Sequence, residues 1–321
     1  MIRFIGVEFG KESKKKTMSA KCVQEDNALF NEYVNFDDAP DVPDLAVTPQ
    51  RDDVVVEEKT EQTAQDPSRD IKEEANRERI TQLENLSRNM TFEELNEIMV
   101  ELRNYQRESQ VEGMSVPVIT DRDFEGIFLM ETASDPRYTH SISSGVDVWR
   151  RKVNGSTWNG VARAVIPNIT PKRMCELYWD YSIRRRWDSF YTVIEDIEIL
   201  PNGNKVSRTA TWTPKLFKQR DYVHVREVIE TDNCCVGVYL PAEHNNAPID
   251  NKKFIRGLVN FSGFVFRKQG NDCLCTLMTQ TDITIALPDF IITKFIALAI
   301  RLYLKLMKQA AYNDHVRQYK A

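Results

Sequence analysis

The 321-residue chain has no uncharged apolar stretch approaching the roughly 20 residues that a membrane-spanning helix requires. Its longest apolar run, 287–315, is interrupted by Lys294, Arg301, Lys305 and Lys308, which recur at spacings of 7, 4 and 3. That recurrence places the four bases on one stripe of a helix, with Phe295, Ile296, Leu298, Ala299, Leu302, Tyr303 and Leu306 covering the rest. The run therefore predicts an amphipathic helix begun near Pro288, able to pack on a core and to meet lipid. No G-x-S-x-G or P-loop occurs, which removes the common nucleophile elbow and the phosphate cradle. None of the six cysteines forms a CxxC or lies near a histidine at metal-ligand spacing, so no metal is predicted and reduced thiols in a cytoplasmic protein are expected. Cys273 and Cys275 fall on one face of a predicted strand, where packing is their expected role. The opening "MIRFIGVEFGKESKKK" places its basic run after a short apolar piece, the wrong order for a secretory signal. Outside the triplet Arg184, Arg185 and Arg186 there is no dense basic cluster, so nucleic acid is not an expected partner. No internal repeat is visible.

The charges that are present divide the chain. Residues 1–70 carry 9 basic and 16 acidic groups, 71–119 carry 6 and 10, and 120–321 carry 28 and 22, so an acidic leader precedes a mildly basic remainder. That balance suits transient contact with an anionic membrane surface. Residues 1–68, poor in aromatics and rich in Asp, Glu, Pro and Lys, cannot bury enough apolar surface to offset ordering and are predicted to be disordered. From 69 to 111 the pattern is helical. Thr91 and Glu94 form a capping box ahead of Leu95, Met99 and Leu102, which predicts a helical pair or short coiled coil open to a protein partner or to self-association. The domains expected are thus 1–68, a helical segment 69–119, and a folded domain 120–321.

After residue 120 short strands follow in quick succession: "GVDVWRRKV", "TWNGVARAVI", then a helix 171–185, then "YTVIEDIEIL", "NKVSRTATWT", "DYVHVREVIE", "CCVGVYL", "KKFIRGLVNFSGFVF" and "DCLCTLMTQTDI". Unbroken strands predict an antiparallel meander, and the terminal helix must cover its apolar face, an α+β arrangement with room for a ligand between them. Within the predicted helix, "YSIRRRWDSF" stacks three guanidinium groups beside aromatic rings. Two readings are open: a solvated helix end favoured by the macrodipole, or a buried anion site.

The segments "IRRRWDSFY", "KQRDYVHVREV", "KFIRGLVNFSGFVF" and "TQTDITIALPDFIITKF", in this order, resemble the START lipid-transfer family, and within it the phosphatidylcholine transfer protein subgroup. The resemblance covers about 135–321 and leaves 1–119 without a counterpart. It implies a helix-grip fold, a curved antiparallel sheet around a lipid cavity closed by the long C-terminal helix. It also implies that Arg184 meets the lipid phosphate and that Asp188 pairs with it. A planar fork of donors suits phosphate oxygens, and Asp188, four residues on, can neutralise the arginine when the cavity is empty. Tyr222 matches one ring of the subgroup's choline cage, whereas Thr209 and Asn260 stand where two other cage rings are expected and Ser262 where a glutamine is. With Thr211 on the same strand face as Thr209, hydroxyl and amide groups replace cation–π contacts, which favours a donating headgroup such as ethanolamine or a looser choice. The implied function is carriage of one glycerophospholipid between membranes without chemistry or cofactor. The alternatives are a sensor for a sterol or other lipid, and a lipid-regulated thioesterase-type enzyme. A membrane gate is expected at Trp212, Lys215, Leu216, Phe217 and Lys218, together with Phe295, Ala299 and Leu302 of the last helix.

Overall fold

A computed structural model of the chain describes residues 67–112, 115–143, 145–154, 157–213, 218–282 and 289–320. The expectations for leader residues 1–66 and for Lys215, Leu216 and Phe217 lie outside the described residues. Three helices come first: α1 (Pro67–Ser87), α2 (Phe92–Glu112) and α3 (Asp121–Thr132). The capping box forms at the start of α2, where the Glu94 carboxylate accepts from Thr91 N–H at 2.7 Å and Glu94 N–H donates to Thr91 Oγ1 at 3.2 Å. A second box, Thr120 with Asp123, opens α3.

The strands β1 (Thr139–Ser143), β2 (Val146–Asn154), β3 (Thr157–Ile166), β4 (Tyr191–Ile199), β5 (Lys205–Thr211), β6 (Gln219–Glu230), β7 (Cys234–Pro241), β8 (Phe254–Arg256), β9 (Leu258–Gln269) and β10 (Asp272–Asp282) form one sheet. Its order is β1-β2-β3-β10-β9-β7-β6-β5-β4, antiparallel along this path, with β8 parallel to β6 at the side. The order departs from a simple meander. β3 pairs with β10 over its full length, so the first three strands of the chain join the sheet through its last strand. The predicted single strand "KKFIRGLVNFSGFVF" also divides into β8 and β9 at Gly257. The Tyr222 ring lies so close over this glycine that an added Cβ would sit 2.1 Å from it, and Gly257 N–H is held by Asp221 O at 2.8 Å.

Alternation along the strands splits their side chains between two helical layers. On one face Val236, Val238, Phe261 and Val265 pack with Ile80 and Leu83 of α1, Leu95 and Met99 of α2, and Phe124, Ile127 and Phe128 of α3. The α1 and α2 helices thus share a core with the sheet, and each fully buried side chain of this size contributes about 1.5–3 kcal/mol. Contact is close: a Cβ at Gly126 of α3 would lie 2.8 Å from Leu95. Ion pairs tie the layer at its edges, Arg79 to Asp121 at 2.7 Å and Arg267 to Glu84 at 2.6 Å and to Glu131 at 2.7 Å.

On the other face Tyr239, Phe264 and Phe266 pack with α4 (Pro171–Trp179), α5 (Tyr181–Arg184) and α6 (Asp289–Lys320). The predicted helix 171–185 is two helices, because Asp180 leaves helical geometry (φ −76°, ψ 106°) and its carboxylate accepts from Ser182 N–H at 2.8 Å, capping α5 afresh. The sheet curves around α6, the helix-grip arrangement. No described helix is long and apolar enough to cross a membrane. The cysteines Cys273 and Cys275 are fully buried in this core as free thiols.

Candidate functional site

The break at Asp180 re-aims the chain so that Arg184, the last residue of α5, turns inward. It is 2% exposed, whereas Arg185 and Arg186 are exposed and donate through Nε to Tyr181 O (3.1 Å) and Ser182 O (3.2 Å), satisfying carbonyls of the final turn. Arg184 Nε donates to Asp188 Oδ2 at 2.8 Å and Nη2 donates to the Tyr303 hydroxyl at 2.5 Å. Tyr303 in turn donates to Asp188 Oδ2 at 3.1 Å, and Asp188 Oδ1 accepts from Phe190 N–H at 3.2 Å. The guanidinium carbon stands 4.2 Å from the Tyr178 ring centre, 4.8 Å from Tyr191 and 5.7 Å from both Tyr181 and Tyr303. One cation is therefore boxed by four phenol rings and neutralised by a single carboxylate. Burial pushes the Asp188 carboxyl above its usual range, opposed by the Arg184 charge and by the hydrogen bonds it accepts.

Arg184 lines a cavity of about 250 Å³ between the sheet and α6. Of the residues singled out from the sequence, Thr209 and Thr211 of β5, Tyr222 of β6, Ser262 of β9 and Ala299 of α6 line the same cavity. Asp188 sits behind Arg184, off the lining. Asn260 belongs to β9 and Phe295 to α6, with side chains outside the described set, and Leu302 is half-buried on α6 away from the lining. Trp212, just past β5, is half-buried with its N–H donated to Phe190 O at 2.8 Å. Lys218 is exposed and donates to Asn251 O at 2.9 Å.

Sequence reasoning missed much of the polar wall. His224, Tyr239, Thr279, Thr281, Tyr178, Tyr191 and Tyr303 all line the cavity. Strand alternation carried part of this signal, since His224 shares the face of Tyr222 and Thr281 that of Thr279, the two threonine hydroxyls lying 2.7 Å apart. His224 Nε2 lies 3.1 Å from the Tyr181 hydroxyl. Burial first, then the Arg226 and Arg184 charges, hold its pKa down to about 3, so the imidazole is neutral at physiological pH. Arg226 is fully buried, stacked 3.7 Å from the Tyr181 ring centre and bonded to Asp196 (2.5 Å), Ser207 (2.8 Å) and Trp179 O (2.7 Å). Tyr181 is thus held between two guanidinium groups. Asp221, near His224 in sequence, is buried away from it and locked by Arg208 at 2.7 Å and Arg256 at 2.5 Å, so the histidine's bonded neighbour is a phenol and not a carboxylate.

The profile of the START domain matches residues 151–315, half of the chain, from β2 to late in α6. The chain belongs to the START domain family. Mouse START domain-containing protein 10 is 24% identical over 184 residues, 56% of this chain and 62% of that protein. Human StAR-related lipid transfer protein 7, mitochondrial, is 28% identical over 113 residues, 34% of this chain and 30% of that protein. The chain therefore spans less than two thirds of either relative's own length. Among solved structures, human STARD10 superposes with a TM-score of 0.56 at 22% identity, covering 64% of this chain and 85% of that one. Human StAR-related lipid transfer protein 5 follows at 0.51 and 20% identity, covering 58% and 92%. Both share the fold. In this START domain the buried cation, the hydroxyl groups of β5, β9 and β10, and the apolar faces of Ile300 and Leu277 give the cavity one charged corner, one polar wall and an apolar remainder.

Proposed function

We propose that the protein carries one glycerophospholipid of the phosphatidylcholine or phosphatidylethanolamine class between membranes, without chemical change. The observation that supports this reading is Arg184: a guanidinium 2% exposed on the cavity wall, whose Nε and Nη2 are used internally and whose remaining Nη1 meets no acceptor among the described residues. Burying a charge requires compensation, and a phosphate entering the cavity supplies it through the free end of the fork. When the cavity is empty, Asp188 and the tyrosine box keep the cation neutralised. The acyl chains lie along the apolar remainder of the cavity against α6.

The hydroxyl wall of Thr209, Thr211 and Ser262 replaces aromatic surface at the headgroup end and favours a headgroup that donates hydrogen bonds, as ethanolamine does. The relatives' lipid-transfer name agrees with carriage and not with catalysis. Entry and exit are assigned to α6 together with Trp212 and Lys218, which contact the bilayer interface. Native mass spectrometry of the protein purified from cells, with identification of the released lipid, tests the reading. A one-to-one complex with a glycerophospholipid is expected; a sterol, or a cavity that never retains lipid, would overturn it.

A further inference from the structure

Tyr239 of β7 is a cavity residue that the phosphate-binding corner does not use. Its ring meets the His224 ring edge-on at 5.2 Å and packs beside Trp179 (5.6 Å) and Phe264 (6.4 Å). Its ring lines the cavity, and its hydroxyl is buried with no hydrogen-bond partner among the described residues. A buried phenol left unsatisfied destabilises a fold relative to phenylalanine at the same place, so a partner supplied by a ligand is the physical reason to look for.

The surroundings indicate what that partner is. The His224 imidazole beside it is neutral and already bonded to Tyr181 through Nε2. The Arg184 and Arg226 cations bear on this corner more strongly than the carboxylate Asp196 behind them, which disfavours an ammonium group here and favours an electron-rich oxygen. Arg184 supplies the charged donors that a phosphate needs, whereas a neutral phenol matches a neutral acceptor. In a glycerophospholipid the acyl ester carbonyls lie on the glycerol side of the phosphate, so one molecule can reach both groups.

We propose that the Tyr239 hydroxyl donates to an acyl ester carbonyl of the bound lipid and selects ester-linked over ether-linked glycerophospholipids, an inference that rests on the carrier reading above. Tyr239 then acts as a specificity residue: Arg184 recognises that the ligand has a phosphate, and Tyr239 that its chains are joined as esters.

The test uses the full chain, stripped of lipid, as wild type and as Tyr239→Phe. Each is equilibrated with vesicles containing dioleoyl phosphatidylethanolamine or the dialkyl ether lipid with the same headgroup, and bound lipid is counted by native mass spectrometry. Wild type should retain the diester about tenfold better than the diether, the worth of one hydrogen bond, and Tyr239→Phe should retain the two equally. The empty Tyr239→Phe protein should melt at or above the wild-type temperature, because the orphaned hydroxyl has gone. A diester preference that survives Tyr239→Phe, or a wild type indifferent to the linkage, would overturn the assignment while leaving the carrier intact. A lower melting temperature for the empty variant would also overturn it, since the hydroxyl would then be satisfied by the protein. Uptake of neither lipid by wild type would overturn the carrier reading together with this one.

Discussion

Asp188→Asn removes one charge from the site while preserving its shape. The carboxamide oxygen can keep the Phe190 N–H contact at 3.2 Å, but the Oδ2 acceptor that now receives Arg184 Nε at 2.8 Å and Tyr303 at 3.1 Å is replaced by a donor. Both members of the pair are buried, their side chains 3% and 0% exposed, so the arginine is left as an uncompensated cation. Breaking a buried pair in this way costs about 3–5 kcal/mol. The tyrosine rings at 4.2 and 4.8 Å return part of this through cation–π attraction, on the order of 1–2 kcal/mol, leaving a loss of about 2–3 kcal/mol in the empty protein. For a folded unit of this size that corresponds to roughly 4–12 °C in melting temperature. With lipid bound, the phosphate pairs with Arg184 and less than half of the loss should remain. Thermal denaturation of delipidated and lipid-loaded samples, wild type against Asp188→Asn, reads both numbers. Equal losses in the two states would refute the idea that phosphate and Asp188 share the same guanidinium.

Three other outcomes follow from the structure. His224 has a folded-state pKa depressed from 6.5 to about 3, so the stability it contributes is full above about pH 6.5 and is lost as the pH falls from there toward 3, at about 1.4 kcal/mol per pH unit. Denaturant titrations between pH 7 and 4 should show this slope in wild type and not in His224→Phe; the raised Asp188 carboxyl has the opposite sign but is common to both proteins. A chain starting at residue 113 should lose cooperative unfolding by circular dichroism, because removing α1 and α2 uncovers the sheet face under Ile80, Leu83, Leu95 and Met99, a loss of about 6 kcal/mol or more and comparable to a whole domain's stability; a native-like transition would contradict the shared core. Trp212→Ala combined with Phe217→Ala should slow transfer between vesicles severalfold while leaving the amount of bound lipid unchanged, and unaltered transfer rates would remove the loop from the gate.

Legibility in the sequence followed the range of the interactions. Strand alternation located β3, β7 and β10 to within a residue or so, and the Thr91–Glu94 box marked the start of α2, because both signals are local. The triplet Arg184 to Arg186 stood out locally, set among aromatic residues, but which arginine turns inward and its pairing with Asp188 came from the resemblance to the START family. Tyr303, which completes their hydrogen-bonded triangle, is 119 residues from Arg184 in sequence and left no local trace. Helical periodicity showed that α1 and α2 have apolar faces but not that those faces meet Phe261 and Val265 of the sheet. The division of the strand at Gly257 coincides with a tyrosine ring from another strand, a long-range feature, whereas the break at Asp180 is a local cap, Asp180 with Ser182, overlooked within the helical pattern of 171–185. The orphaned hydroxyl of Tyr239 is the least legible of all, since being unpartnered is a property of every neighbour at once.

The proposed hold of Arg184 on a lipid phosphate inside the cavity is open to direct measurement. Arg184→Met keeps most of the side-chain volume and deletes the charge, and Arg185→Met, on the exposed neighbour, controls for the loss of one positive charge near the membrane. Both proteins, delipidated and equilibrated with vesicles of phosphatidylcholine and phosphatidylethanolamine, are analysed by native mass spectrometry for bound lipid. Arg185→Met should load like wild type while Arg184→Met loads at least tenfold less. Equal loading of Arg184→Met and wild type would contradict the proposed hold.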